Sequence, residues 1–278
     1  ERYQASQAKN KRSGERPGDR SGGRPKKAAS EHEYVTGRNS VLEALRTKVP
    51  VAGITIASGT SMDDRMREII AIAVSRGIPV LETVRQELDR MTSADTVHQG
   101  IIAKVPPYKY LHPDDLFEQS RRGGRVPLLV VLDGITDPRN LGAIIRSVAA
   151  FGGTGVVVPQ RRSVGVNAAA WKTSAGAAAR VPVAMATNLT QALKSFKLAG
   201  AFVVGLDGDG EVELHNLQFA NDPLVVVVGS EGKGISRLVK EQCDAVVSIP
   251  ISRATESLNA GIATSVALYE ISQKRAAK

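Results

Sequence analysis

Apolar residues in this chain fall into short blocks that alternate between two spacings, and the order of those blocks predicts the architecture. From Glu1 to Glu33 there is no Val, Ile, Leu or Phe, and Gly, Pro, Ser, Lys and Arg dominate, so residues 1–33 are expected to be a disordered tail. From Tyr34 to Pro107 a β/α rhythm sets in. Gly37-Arg38-Asn39-Ser40 leads into the helical spacing Val41, Leu42, Leu45, and Val51–Ala57 reads as a strand. Met62–Ser75 follows as a helix with Met66, Ile69, Ile70 and Ala73 on one face; Ile78–Leu81 and Ile101–Val105 read as strands. Pro106, Pro107, Pro113 and Arg121-Arg122-Gly123-Gly124-Arg125 mark a linker over 108–125, with a short helix near Asp114–Ser120.

Residues 126–278 then alternate buried strands with helices. Strands are expected at Leu128–Leu132, Gly155–Val158, Val181–Ala184, Ala201–Leu206, Leu224–Val228 and Ala245–Ile249. Helices are expected at Gly142–Phe151, Ala168–Ala178, Leu189–Leu198, Ser236–Glu241 and Leu258–Arg275. This order predicts an α/β fold: a small α/β module over 34–107, then a mostly parallel sheet with helices on both faces. Ligands bind such sheets at the carboxyl ends of the strands, where the Gly-rich loops of this chain fall.

Composition sharpens that reading. Of the 278 residues 42% are apolar but only 4% aromatic, so the core is built from Ala, Val, Ile and Leu, as in parallel sheets buried on both faces. The longest apolar runs fall far short of the roughly 20 residues of a membrane-spanning helix. No charged-then-apolar segment opens the chain, and a cytoplasmic protein without a membrane partner is expected. Cys243 is the only cysteine, and His32, His98, His112 and His215 have no zinc-ligand spacing, so neither a disulfide nor a metal is expected. The formal net charge of +9 favours a polyanionic partner. Residues 1–30 hold nine Lys/Arg against three Asp/Glu, leaving only +3 for the remainder. The tail is either an arm along nucleic-acid phosphates or a solubilising extension.

Three loops carry candidate chemistry, and each also has an ordinary structural explanation. Gly229-Ser230-Glu231-Gly232-Lys233-Gly234 follows a strand but lacks the glycine five residues before Gly-Lys and the Ser/Thr after it that a phosphate loop requires, and it fails the dinucleotide pattern too. It reads as a turn with Glu231 at its apex. Asp137-Pro138-Arg139-Asn140-Leu141-Gly142 opens a helix, with Asn140 explicable as a cap and Arg146 as a solvated side chain. Ile249-Pro250 closes a strand, and Glu256-Ser257-Leu258-Asn259 is explicable as the entry of a capped helix.

Together, Asn140-x-Gly142-x-x-x-Arg146, Gly229-x-Glu231-x-x-Gly234, and Ile249-Pro250 followed by Ser257-Leu258-Asn259 closely resemble the three signature motifs of the SpoU branch of the SPOUT RNA methyltransferases, across residues 128–275. Residues 34–107, with Gly37-Arg38-Asn39 and His98-Gln99-Gly100, resemble the ribosomal-protein-L30e-like substrate-binding domain of the subgroup that methylates a guanosine ribose in 23S ribosomal RNA. The resemblance implies a C-terminal trefoil knot, a homodimer, and S-adenosyl-L-methionine as cofactor, lined by Gly205, Gly229, Ile249 and Leu258. Ser174-Ala175-Gly176 would approach its methionine part. Arg146 would be the catalytic arginine, with Asn140, Glu231, Ser257 and Asn259 orienting it and the ribose, some across the dimer interface.

Such chemistry places a weakly acidic hydroxyl in line with the methyl group and the departing sulfur and relieves it of its proton. A guanidinium stays charged, so positioning and electrostatic stabilisation suit Arg146 better than proton abstraction. The ribose hydroxyl separates RNA from DNA, and DNA is not an expected substrate. RNA selection is expected to fall to residues 34–107 and the tail. Transfer RNA, a ribosomal site linked to antibiotic resistance, and a noncatalytic RNA-binding scaffold are the other readings.

Overall fold

The computed structural model describes residues 33–92, 96–252 and 255–277; the expected tail over 1–33 lies outside them, apart from Glu33. The first sheet has four strands, β1 (Glu33–Thr36), β2 (Gly53–Ala57), β3 (Val80–Thr83) and β4 (Ile101–Val105), in the order β1-β4-β2-β3. Strand β4 is antiparallel to both of its neighbours, and β2 runs parallel to β3. Helices α1 (Arg38–Arg46) and α2 (Asp64–Ser75) cover it, burying Val41, Leu42, Leu45, Met66, Ile69 and Ala73. Asp63 caps α2 by accepting the Met66 N–H at 2.9 Å. Strand β1 and helix α3 (Arg85–Met91) have no counterpart in the sequence-based prediction. Helix α3 buries only Leu88, so it carries almost no apolar periodicity.

The second sheet has seven strands. They are β5 (Leu128–Asp133), β6 (Gly155–Pro159), β7 (Val183–Ala186), β8 (Phe202–Leu206), β9 (Val212–Glu213), β10 (Leu224–Gly229) and β11 (Ala245–Ser248). Their order is β7-β6-β5-β10-β8-β11-β9, and every pairing is parallel. Strand β5 alternates between two cores: Leu128, Val130 and Leu132 face α5 (Pro138–Ala150), α6 (Ala168–Thr173) and α9 (Ala260–Ala276), while Leu129 and Val131 face α4 (Pro113–Arg121), α7 (Leu189–Leu198) and α8 (Arg237–Lys240). That is the sandwich expected of Val/Leu runs without polar alternation. Among the described residues, no helix is long and apolar enough to cross a membrane.

Three local differences have physical causes. The helix expected over Ala168–Ala178 stops at Thr173, because Ala175 and Gly176 take left-handed backbone (φ 49° and 80°). Strand β7 begins two residues late, after Pro182. The stretch 108–125 is packed against the second sheet: Leu111 exchanges backbone bonds with Val183 and Met185, the Tyr108 and Tyr110 rings meet edge to face, and Leu116 and Phe117 are buried.

At the far edge, β11 lies between β8 and β9, so residues 207–211 must cross its carboxyl end. A Cβ on Gly210 would stand 2.5 Å from the Val247 carbonyl carbon, which explains a glycine at the crossing. This crossing is consistent with the trefoil knot that the resemblance implies.

Candidate active site

Strand β10 ends at Gly229, and the chain folds back at once. Ser230 and Gly234 exchange backbone hydrogen bonds at 3.1 and 2.9 Å, with Gly232 and Gly234 at positive φ. A Cβ on Gly229 would lie 2.1 Å from the Gly234 carbonyl carbon, so only glycine lets the turn close. The Asp133 carboxylate at the end of β5 accepts the Ser236 N–H at 2.7 Å and ties down the far side of the turn. Glu231 is thereby held at the carboxyl edge of the sheet.

Helix α5 starts beside it. Asp137 caps the helix by accepting the Arg139 N–H at 2.8 Å, and Pro138 takes the first position, where no N–H is needed. The cap is therefore Asp137 rather than Asn140, and the helix begins four residues before the Gly142 start expected from sequence. Asn140 is left free to turn its amide to Glu231, donating to Oε1 at 3.0 Å.

The third loop completes the cluster. Asn259 caps α9 with Oδ1, accepting from Gly261 and Ile262 at 2.9 and 3.2 Å. Its Nδ2 donates to Glu231 Oε1 at 2.6 Å and to Asn140 Oδ1 at 3.0 Å. Residues 140, 231 and 259, from three separate loops, thus form one closed network around a carboxylate. Hydrogen bonds to an ionised acceptor are roughly twice as strong as neutral ones, so the cluster locks the three loops together.

Beside the network opens a cavity of about 420 Å³ at the carboxyl ends of β8, β10 and β11. Gly229, Ile249, Ser257 and Leu258 line it, and Glu231 stands on its wall. Leu206 rather than Gly205 lines it: a Cβ on Gly205 would stand 2.9 Å from Ile235 and 3.1 Å from Cys243, so that glycine faces the core behind the wall. Arg146 does not line the cavity; it is exposed and has no side-chain partner among the described residues. Ser174-Ala175-Gly176 does not reach the cavity either. Ser174 is fully buried, its hydroxyl donating to the Trp171 carbonyl at 2.7 Å, and a Cβ on Gly176 would stand 3.3 Å from the Thr47 carbonyl oxygen, so this segment serves packing between α6 and α1.

Sequence reasoning missed Asp207 and Asp209, which line the cavity from the loop after β8. The signal was there in Asp207-Gly208-Asp209-Gly210, two acids in a Gly-rich loop at a strand's carboxyl end. Burial alone pushes the Asp207 carboxyl up, but the Asp209 N–H at 3.2 Å and the Lys240 ammonium at 3.1 Å outweigh it and hold it below the usual carboxylate range. With Glu231 and Glu256, the cavity carries four acidic residues. Among the described residues no group of three or more His, Cys, Asp or Glu is arranged to hold a metal ion.

An all-parallel seven-stranded sheet, with a cavity at its carboxyl edge and an interlocked Asn–Glu–Asn cluster on the rim, is the architecture of an α/β protein with a ligand site at its strand ends. Residues 127–269 match the SpoU rRNA methylase family, and residues 34–111 match the RNA 2′-O ribose methyltransferase substrate-binding domain. The chain belongs to the SpoU family of RNA methyltransferases. It is 59% identical over 247 residues to a protein of Mycolicibacterium smegmatis described as an uncharacterized tRNA/rRNA methyltransferase, covering 89% of this chain and 78% of that one. A relative from Mycobacterium avium bearing the same description is 57% identical over 252 residues, 91% of this chain and 81% of its own. The fold is shared with the SpoU methyltransferase AviRb of Streptomyces viridochromogenes in complex with AdoMet, at a TM-score of 0.65 and 23% identity over 88% of this chain and 91% of that one. It is shared also with an AdoMet-bound rRNA methyltransferase of Sinorhizobium meliloti, at a TM-score of 0.64 and 23% identity over 88% of each chain.

Proposed function

We propose that this protein transfers the methyl group of S-adenosylmethionine to a ribose 2′-hydroxyl, that a guanosine of 23S ribosomal RNA is its target, and that it acts as a homodimer. The carrying observation is the Asn140–Glu231–Asn259 network on the lip of the cavity, which joins all three signature loops. Transfer RNA is the second reading, because the relatives' shared description names both RNAs.

The cavity fits the cofactor by the chemistry of its walls. Its volume falls within the roughly 300–1,000 Å³ of small-molecule sites. Leu206, Val228, Ile249 and Leu258 offer an apolar surface to a nucleoside base, and residues 249–252 and 255–259 belong to no helix or strand, so their peptide groups are not committed to a ladder. The acidic residues on the wall complement a cation. When bound, the cofactor supplies a methyl group on a positively charged sulfur.

The residues of the chain supply position and field. Glu231 fixes Asn140 and the start of α9, and Ser257 lines the cavity with a hydroxyl able to hold a ribose hydroxyl. Arg146 orients the RNA phosphate next to the reacting sugar through its paired N–H donors. In one protomer Arg146 lies outside the cavity, which supports its acting on the cavity of a second copy. On α9, Ile262, Val266 and Tyr269 are 56%, 38% and 51% exposed at spacings of four and three, an apolar stripe bordering the α5–α9 seam. A second copy of this chain would cover it. Residues 34–107 would bind the RNA and 126–278 perform the transfer.

The test is Arg146→Ala, expected to abolish methyl transfer while calorimetry finds cofactor affinity within severalfold of wild type. An active variant would remove Arg146 from its role, and a monomer in sedimentation at micromolar concentration would remove the second copy.

A further inference from the structure

Only +3 of the formal charge lies outside residues 1–30, and its value to an RNA depends on which of those cations are left unpaired. In the small module Arg38, Arg46, Arg67 and Arg90 are paired with carboxylates, while Arg65, Arg76 and Arg85 are exposed without a side-chain partner among the described residues. At the carboxyl edge of the large sheet, Arg139, Arg161 and Arg162 are exposed, and none has a side-chain hydrogen bond or ion pair among the described residues. Unpaired guanidiniums on a loop serve a ligand only where the backbone that presents them is held in place.

That backbone is fixed. Residues 160–167 leave β6 as a loop pinned at both ends: the Gln160 N–H donates to Ala186 at 2.9 Å, and the Val164 N–H and Ser163 hydroxyl donate to the Ile135 carbonyl at 2.9 and 3.0 Å. Arg162 itself takes left-handed backbone (φ 58°), a conformation that a non-glycine residue adopts only where its surroundings hold it there. The pins also tell what the loop lies between. Toward the cavity, Ile135 follows Gly134, where a Cβ would stand 3.5 Å from that of Ser230 in the Glu231 turn. Toward the small module, the Val166 N–H donates to Tyr110 at 2.7 Å, and the Ala168 N–H donates to Glu33 of β1 at 2.9 Å.

We propose that Arg161 and Arg162, with Arg139 beside them, form a phosphate-binding ledge that carries the RNA strand from the small module to the cavity. The proposal rests on the RNA methyltransferase reading. A polyanion that engages both ends of this path must cross the loop, since the acidic wall of the cavity offers it no alternative. Guanidiniums suit phosphate oxygens through their paired donors, and such contacts position the strand without reading its sequence.

The test uses the full chain, an in vitro transcript of 23S ribosomal RNA, and binding measured across a range of salt. Arg161→Gln/Arg162→Gln is expected to weaken RNA binding about tenfold near 0.1 M salt, to flatten the log affinity against log salt slope by about 1.5, and to leave cofactor affinity unchanged. The Lys/Lys double variant is expected to restore the slope. Lys194→Gln/Arg237→Gln removes the same charge from α7 and α8, on the opposite face, and is expected to change RNA binding less than twofold. Equal losses in the two Gln pairs, or no loss in the first, would overturn the ledge. A wild-type chain that methylates no RNA while the first pair still weakens binding would overturn the functional reading and leave the ledge standing.

Discussion

Asn259 joins stability to function in a single side chain. Its Oδ1 closes the open N-terminus of α9, and its Nδ2 holds Glu231 and Asn140. Asn259→Ala is therefore expected to cost about 1 kcal/mol for the lost cap, and to reduce methyl transfer much further, because the carboxylate loses its shortest donor. Thermal unfolding alongside an activity assay separates the two; a variant with lowered stability and full activity would make Asn259 a cap only. At Cys243, burial pushes the thiol up to about 11, assisted by the neighbouring Asp244 carboxylate. A raised folded value means that the thiol form stabilises the fold below its ordinary value of 9.0, and that this contribution is lost as pH rises through about 11. Iodoacetamide at pH 8 is accordingly expected to leave Cys243 unmodified in the folded chain and to alkylate it in denaturant; equal labelling in both states would contradict the burial.

At the scale of elements, the sequence made the strongly periodic segments legible and hid the rest. Buried runs such as Leu128–Leu132 and Leu224–Val228 have little choice but to be central strands, and they are. Strand β9 has two residues and α3 one buried side chain, so neither leaves a pattern to read. Signature residues also divide into two kinds that sequence cannot separate. Glu231 and Asn259 stand at the cavity or its lip, whereas Gly142 is a packing residue: a Cβ there would lie 2.5 Å from the Ala170 carbonyl oxygen and 2.7 Å from the Thr173 Cβ. Alanine in mid-helix ordinarily gains about 1 kcal/mol over glycine. Gly142→Ala is nevertheless expected to destabilise, by about 2 kcal/mol, because α5 must lift from α6. A melting temperature at or above wild type would show that the two helices separate freely.

For the whole molecule, parallel pairing brings loops nearly 120 residues apart in sequence to one edge, and the network from Asn140 to Asn259 is the product of that topology. The β/α rhythm predicted the sheet but not its order. Placing β11 between β8 and β9 requires the chain to cross itself, and nothing in local periodicity reports a crossing. For the same reason Asp207 and Asp209 could be noticed in sequence as two acids in a Gly-rich loop but not assigned to the cavity: their loop meets the other two only after the crossing is made. Arg146 was readable as a candidate, but not its place outside the cavity of its own chain.

The most direct test of the central claim follows the methyl group itself. The purified chain is incubated with S-adenosylmethionine labelled in its methyl group and a 23S ribosomal RNA transcript, and the RNA is digested to nucleosides and separated. The label is expected in 2′-O-methylguanosine, and to be absent with Arg146→Ala. Label on a base, or no transfer to any RNA by a chain that binds the cofactor, would contradict the account.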